Sequence, residues 1–160
     1  MIVKFKKLRE NATIPQQATE LAGGWDVTAA NIEKVNDGYF ICKLGFALQI
    51  PKGYKLTLVP RSSITKTSWV IQNSPGLGDA DYLQEYQFRF RCIPRFRNEG
   101  YTLPNGNTGF KQTVFYEIFP FKEGDRIGQI YLEEVIPIEF EEVSEFDFTN
   151  NRGGYGSTGK

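Results

Sequence analysis

No histidine occurs anywhere in the 160 residues. Its absence removes Ser-His-Asp and Cys-His nucleophile pairs, imidazole acid–base chemistry near neutral pH, and His-ligated zinc. Cysteine is nearly as scarce: Cys42 and Cys92 are the only two, each inside a strand-like apolar run. Far apart in sequence, they cannot form a CxxC metal or redox motif, and each reads as a buried free thiol. An excess of either charge is also missing, with 19 Lys plus Arg against 19 Asp plus Glu. A balanced chain has no general attraction to nucleic acid or to an anionic membrane surface, so neither is expected as a partner. No apolar run approaches the ~20 residues of a membrane span, and Met1-Ile2-Val3-Lys4 does not open a signal peptide. The expected compartment is the cytoplasm. What remains for chemistry is carboxylates, Arg, Lys, Tyr, hydroxyls and backbone amides, a set suited to handling phosphate.

Against these absences stand a hydrophobic content of 40% and an aromatic content of 14%, enough to build a core. The length fits one domain. Alternating or β-branched runs recur between Gly, Pro and Asn punctuation over 2–8, 39–50 (broken at Gly45), 54–59, 69–72, 86–93, 113–119 and 127–138. All read as strands, with a short helical turn after Ser62 and tight turns at 51–53 and 123–125. This spacing predicts an all-β sandwich or barrel without internal repeats. Two stretches stand apart. Residues 95–112 are rich in Gly and Asn and mix Arg95, Arg97 and Lys111 with Phe96, Tyr101 and Phe110. Basic and aromatic residues together can bind single-stranded nucleic acid, but in a chain of zero net charge a long hairpin loop or insertion is the reading preferred. Residues 149–160, TNNRGGYGSTGK from Thr149 on, carry little that could line a core and read as a flexible C-terminal arm on a 1–148 β domain.

Five short segments carry candidate chemistry, and each alone has an ordinary structural explanation. AGGWDV at 22–27 could be a turn entering a strand, and PRSS at 60–63 a proline turn with a capping serine. GLGDADY at 76–82 could be a loop with solvated acids, GDRIGQ at 124–129 a hairpin turn, and RGGYGSTG at 152–159 a loose tail. An arginine with adjacent hydroxyls and amides, as at Arg61-Ser62-Ser63, could equally grip phosphate oxygens.

Taken together and in this order, the segments resemble the five motifs of the homotrimeric, all-β dUTPase family, and the resemblance spans almost the whole chain. It implies a distorted jelly-roll or β-barrel fold and hydrolysis of dUTP to dUMP and pyrophosphate with Mg²⁺. The family's reaction needs a water deprotonated and aimed at the α-phosphorus, and a carboxylate is a sufficient base when positioned. By resemblance Asp79 is that base, with Asp26 and Asp81 as supporting acids that order its surroundings or the hydrated metal. The resemblance implies no direct protein ligand to Mg²⁺, which the phosphates and water would hold; a hard cation that keeps several waters needs few others. Arg61, Ser62, Ser63 and Gln129 would bind the phosphates. Uracil would be read by a β-hairpin between Asn73 and Tyr82, largely through backbone near Leu77, Gly78 and Asp79, with Gln87 close by. Tyr82 would pack on the deoxyribose. From the arm, Tyr155 would stack on uracil while Arg152, Gly156, Ser157 and Thr158 meet the phosphates at a neighbouring subunit's site.

Some positions depart from the family pattern. Gly78 stands where the family has Ile or Val, and a glycine there is expected to loosen the hairpin beside the base. Leu83-Gln84 replaces the usual Arg-Gly before Glu85, the 95–112 insertion separates strands that relatives join closely, and the last motif is shorter. The compact chain and its insertion suggest a phage or mobile-element member. Two other readings stand beside this one. One is a dCTP deaminase-like enzyme of the same fold, which would need a Thr-Leu-Glu-like strand that is not found here. The other is a catalytically weak binding or regulatory protein of this fold, docking through the insertion.

Overall fold

The computed structural model of the protein describes residues 1–147. The expected arm, 149–160, lies outside them. Twelve strands follow in order: β1 (Lys4–Lys7), β2 (Trp25–Thr28), β3 (Asn31–Asn36), β4 (Tyr39–Lys43), β5 (Phe46–Gln49), β6 (Tyr54–Pro60), β7 (Trp69–Ile71), β8 (Gly76–Gly78), β9 (Gln87–Cys92), β10 (Arg95–Thr102), β11 (Thr108–Phe115) and β12 (Arg126–Glu134). The expected helical turn is a 3-10 segment, Ser62–Lys66.

Two four-stranded sheets, ordered β2-β12-β6-β8 and β3-β4-β9-β7, pack face to face as a jelly-roll-like sandwich. The alternation that identifies strands also selects the core. In β9, Phe88, Phe90 and Cys92 point inward while Arg89 and Arg91 face out. Leu56, Leu58, Ile127 and Ile130 answer from the other sheet. Phe88 comes so close to Gly128 that a Cβ there would lie 2.3 Å from its ring, so only glycine fits opposite this phenylalanine. Cys42 and Cys92 are buried free thiols as expected, and burial pushes the Cys42 thiol up to about 12.

Several boundaries differ from the sequence reading. The 95–112 stretch is a hairpin, as expected, but its arms are full strands that pair from Arg95↔Phe115 to Thr102↔Thr108. The strand anticipated over 113–119 is therefore only the end of β11. Beyond it the chain turns inward, and Phe119 stacks on Phe40 with ring centroids 4.3 Å apart. The last strand stops at Glu134 and not at Ile138, because Pro137 cannot donate to a ladder. β3 was not anticipated. It pairs with β4 across Asn36-Asp37-Gly38, where Gly38 adopts φ 81°, an Asp-Gly turn of the kind that closes tight hairpins.

Candidate active site

Four of the five segments lie on or directly beside one sheet. Asp26 on β2 stands opposite Gln129 on β12, Gln129 stands opposite Val59 on β6, and Arg61 follows β6 directly. The Asp26 carboxylate, only 6% exposed, accepts hydrogen bonds from Arg61 Nε at 3.1 Å and Gln129 Nε2 at 3.0 Å on one oxygen. Its other oxygen accepts from Arg126 Nη1 at 2.9 Å. A buried carboxylate is tolerated only when paired and hydrogen-bonded, and two guanidinium groups meet that need.

Arg126 reaches Asp26 through a local irregularity. Residues three apart on a strand face opposite sides. The register of β12 against β2 shifts between Arg126 and Gly128, with Ile127 and Gly128 both buried in succession. This bulge turns Arg126 and Gln129 to the same face. Arg126 received no role in the sequence reading. Two consecutive inward residues between two polar ones, Ile127-Gly128 in GDRIGQ, are the signal that would have found it.

Each ligand of Asp26 keeps capacity to spare. Arg61 commits one of its five N–H donors, and the Gln129 amide one of its two. Ser62 and Ser63, both exposed, open the 3-10 segment, and among the described residues its N-cap residue, Arg61, makes no capping hydrogen bond through its side chain. Hydroxyls and backbone N–H groups thus stand beside two arginines, an arrangement matched to a polyanion.

The third segment forms the other half. Among the described residues β8 pairs with β6 alone, Gly78 opposite Leu56, and is the edge strand of its sheet. The hairpin expected between Asn73 and Tyr82 is thus an edge strand followed by a turn, in which Tyr82 N donates to the Asp79 carbonyl at 3.1 Å. An edge strand leaves backbone donors and acceptors unpaired on its outer side, as backbone readout of a base requires. Leu77 and Tyr82 are exposed, at 66% and 39%, and Asp79 and Asp81 are exposed beside them.

The Asn73 side chain donates to the Gln87 carbonyl at 3.1 Å and accepts from Arg89 N at 2.8 Å, so it ties the segment to β9. Gln87 takes part here through that carbonyl. At the far end of the loop, Glu85 forms a two-point ion pair with Arg9, at 2.6 and 3.0 Å, and accepts from Gly45 N at 3.0 Å. The Arg9 hydrogen bond, more than its charge, holds the Glu85 carboxyl below its usual range.

Gly78 does not loosen this half. A Cβ on it would lie 2.7 Å from Tyr86 Cε1 and 3.2 Å from Leu56 Cβ. The Tyr86 ring occupies the space that a larger residue would use. Burial pushes the Tyr86 phenol up to about 12, with smaller contributions from Tyr82 and Asp79.

The chain does not bring its two halves together. β6 and β8 run antiparallel, so Gly78 lies opposite Leu56 while Arg61 comes five residues later. At strand rise that is about 17 Å. Within one chain Asp26 therefore supports Arg61, Arg126 and Gln129. Among the described residues no group of three His, Cys, Asp or Glu is placed to cage a metal ion. A hydrated Mg²⁺ carried on the oxygens of a bound polyphosphate needs few protein donors, and the residues present fit that role. Arg152, Tyr155, Gly156, Ser157 and Thr158 lie outside the described residues. Among the described residues no helix is long and apolar enough to cross a membrane.

Fold and candidate site together define an all-β sandwich with arginines, serine hydroxyls and backbone amides gathered beside β6 and β12, and comparison with known proteins narrows the class. No family model matches the chain. Curated relatives do. It is 32% identical over 165 residues to the deoxyuridine 5'-triphosphate nucleotidohydrolase of Fusobacterium nucleatum, covering 99% of this chain and 98% of that one. It is 31% identical to the enzyme of that name from Nautilia profundicola, with both covered completely, and 30% identical to that of Solanum lycopersicum, covering 98% of this chain and 80% of the plant protein. The chain belongs to the deoxyuridine 5'-triphosphate nucleotidohydrolase, or dUTPase, family. Solved structures share the fold. The dUTPase of Staphylococcus bacteriophage 80alpha, determined with dUPNHPP, superposes with a TM-score of 0.74 at 23% identity over 99% of each chain. A mutant dUTPase of phage phi11 of S. aureus, described with a structural Mg(II) ion, gives 0.68 at 22% identity over 92% of this chain.

Proposed function

We propose that the protein hydrolyses dUTP to dUMP and pyrophosphate, at sites shared between the chains of a homotrimer. The observation that carries this reading is the Asp26 cluster, which holds Arg61 and Gln129 as a preformed phosphate clamp in a chain that aligns end to end with dUTPases.

The outer edge of β8 reads uracil through backbone groups at Leu77, Gly78 and Asp79, where a close fit excludes a 5-methyl group by clash. Tyr82 packs against the deoxyribose. Arg61, Ser62, Ser63 and Gln129 bind the phosphates and fix the chain of three in line. Asp79 takes a proton from water, the oxygen attacks the α-phosphorus, and the bond to the β-phosphate bridging oxygen breaks. Asp81 supports the Asp79 environment. The two halves, about 17 Å apart in one chain, meet when β8 of one subunit faces the Asp26 cluster of another. The arm then closes the site: Tyr155 stacks on the base, and Arg152, Gly156, Ser157 and Thr158 contact the phosphates. When bound, Mg²⁺ neutralises triphosphate charge.

The test is product release from dUTP, dCTP, dTTP and UTP in parallel, with light scattering on the same sample. Pyrophosphate from dUTP alone and a mass of three chains are expected. Ammonia from dCTP would instead favour a deaminase of this fold, and no turnover of any nucleotide would favour a binding protein.

A further inference from the structure

Tyr86 lies outside every segment assigned a role, yet it packs against both Gly78 and Tyr82 of the base-reading half. It is 4% exposed, and its ring fills the space beside Gly78 where a Cβ would sit at 2.7 Å. Its hydroxyl donates to the Tyr82 carbonyl at 3.4 Å, and its ring meets the Tyr82 ring edge-on at 5.1 Å. Its backbone is fixed independently. Leu44 N donates to the Tyr86 carbonyl at 2.9 Å, Tyr86 N donates to the Phe46 carbonyl at 3.3 Å, and the preceding residue is Glu85 with its ion pair to Arg9. One rigidly held ring therefore supports both the end of the edge strand and the tyrosine that follows it.

We infer that Tyr86 is a positioning residue for base selection, and that Gly78 and Tyr86 act as a size-matched pair setting the height of the base-reading strand. The inference rests on the proposed dUTP reading. Packed interiors resist small volume changes, so adding a methyl at Gly78 or shortening Tyr86 must move the strand end or the Tyr82 ring. A pocket that rejects one methyl group by clash has little tolerance for such a shift. Replacing both residues, Gly78→Ala with Tyr86→Leu, returns the combined volume close to its original value and should restore the height.

The experiment measures KM and kcat for dUTP and dTTP, with melting temperature, in wild type, G78A, Y86L, the double variant and Y86F. Each of G78A and Y86L is expected to raise KM for dUTP about tenfold, to change kcat far less, and to narrow the preference for dUTP over dTTP. The double variant should regain most of that preference, and Y86F, which keeps the ring, should lose about twofold to fivefold in KM. If the single variants melt earlier but keep wild-type KM and preference, Tyr86 is a core residue only and the inference fails. If a single variant does not fold, a folded double variant with near wild-type preference supports the pairing, and one without preference overturns it. Wild type that turns over no dUTP would overturn the underlying reading, and this inference with it. Wild type active on dUTP with unaltered preference in the variants would overturn the inference alone.

Discussion

Asp26 and Asp79 sit in motifs of similar length and composition, yet the fold treats them in opposite ways. Asp26 is buried and accepts three hydrogen bonds, from Arg61, Arg126 and Gln129. Asp79 stands exposed just past the end of an edge strand. A carboxylate that positions other groups must be immobile, and most of its acceptor capacity is committed in doing so. A carboxylate that accepts a proton must keep a lone pair free until substrate arrives. The difference divides the candidate site into a half tied down within the chain and a half left exposed.

The sharpest way to break the comparison is at the exposed half. Asp79→Asn keeps the shape but cannot take a proton, and turnover should fall by at least about 100-fold while dUTP still binds. Steady-state kinetics beside calorimetric titration with a non-hydrolysable dUTP analogue will check both parts. Next in size is deletion of 152–160. The arm carries Arg152, Tyr155, Ser157 and Thr158, and on the proposed reading, in which its closure acts on the chemical step, its loss should cut kcat by about 100-fold or more with the melting temperature unchanged. Full-rate turnover by the shortened chain would make the arm a simple terminus.

At the tied-down half the pattern reverses. Asp26→Ala strands two guanidinium groups, and because Arg126 is itself half exposed the cost falls to about 2 kcal/mol, or about 4–8 °C in melting temperature. KM should rise with it. A variant that melts normally but loses only kcat would mean that Asp26 acts on chemistry.

The smallest effect concerns Glu85. Its carboxyl is held below the usual range chiefly by the Arg9 hydrogen bond. Stability from a lowered acid is present above its unfolded value and is lost as pH falls through the folded one. Wild type should therefore melt above Glu85→Gln at neutral pH, and the gap should close in acid. A gap independent of pH would remove the ion pair from the account.

Most of the architecture was legible because strand alternation and Gly–Pro punctuation are local signals. Seven of the described strands follow from runs such as 86–93, where inward Phe88 and Phe90 alternate with arginines. β3 was missed although Asp37-Gly38 announces its turn, because its outward residues hide any apolar alternation. The hairpin at 95–112 was legible as a hairpin but not as two exposed strands. At the site, the segments were readable as motifs, but their grouping was not. Only the register of β6 against β8 and β12 shows that Arg61 and Asp79 lie far apart in one chain. Arg126 depends on a bulge, and the Gly78–Tyr86 fit on a contact between residues that no periodicity links.

The central claim is that neither half works without a second chain. It is tested by mixing two inactive proteins, Asp79→Asn and Arg61→Ala, unfolding them together and refolding them at equal concentration. If each site takes Arg61 from one chain and Asp79 from a neighbour, random assembly restores about a quarter of wild-type dUTP turnover. If the site is built within a single chain, every site in the mixture carries one lesion, and the activity stays at the level of the separate variants.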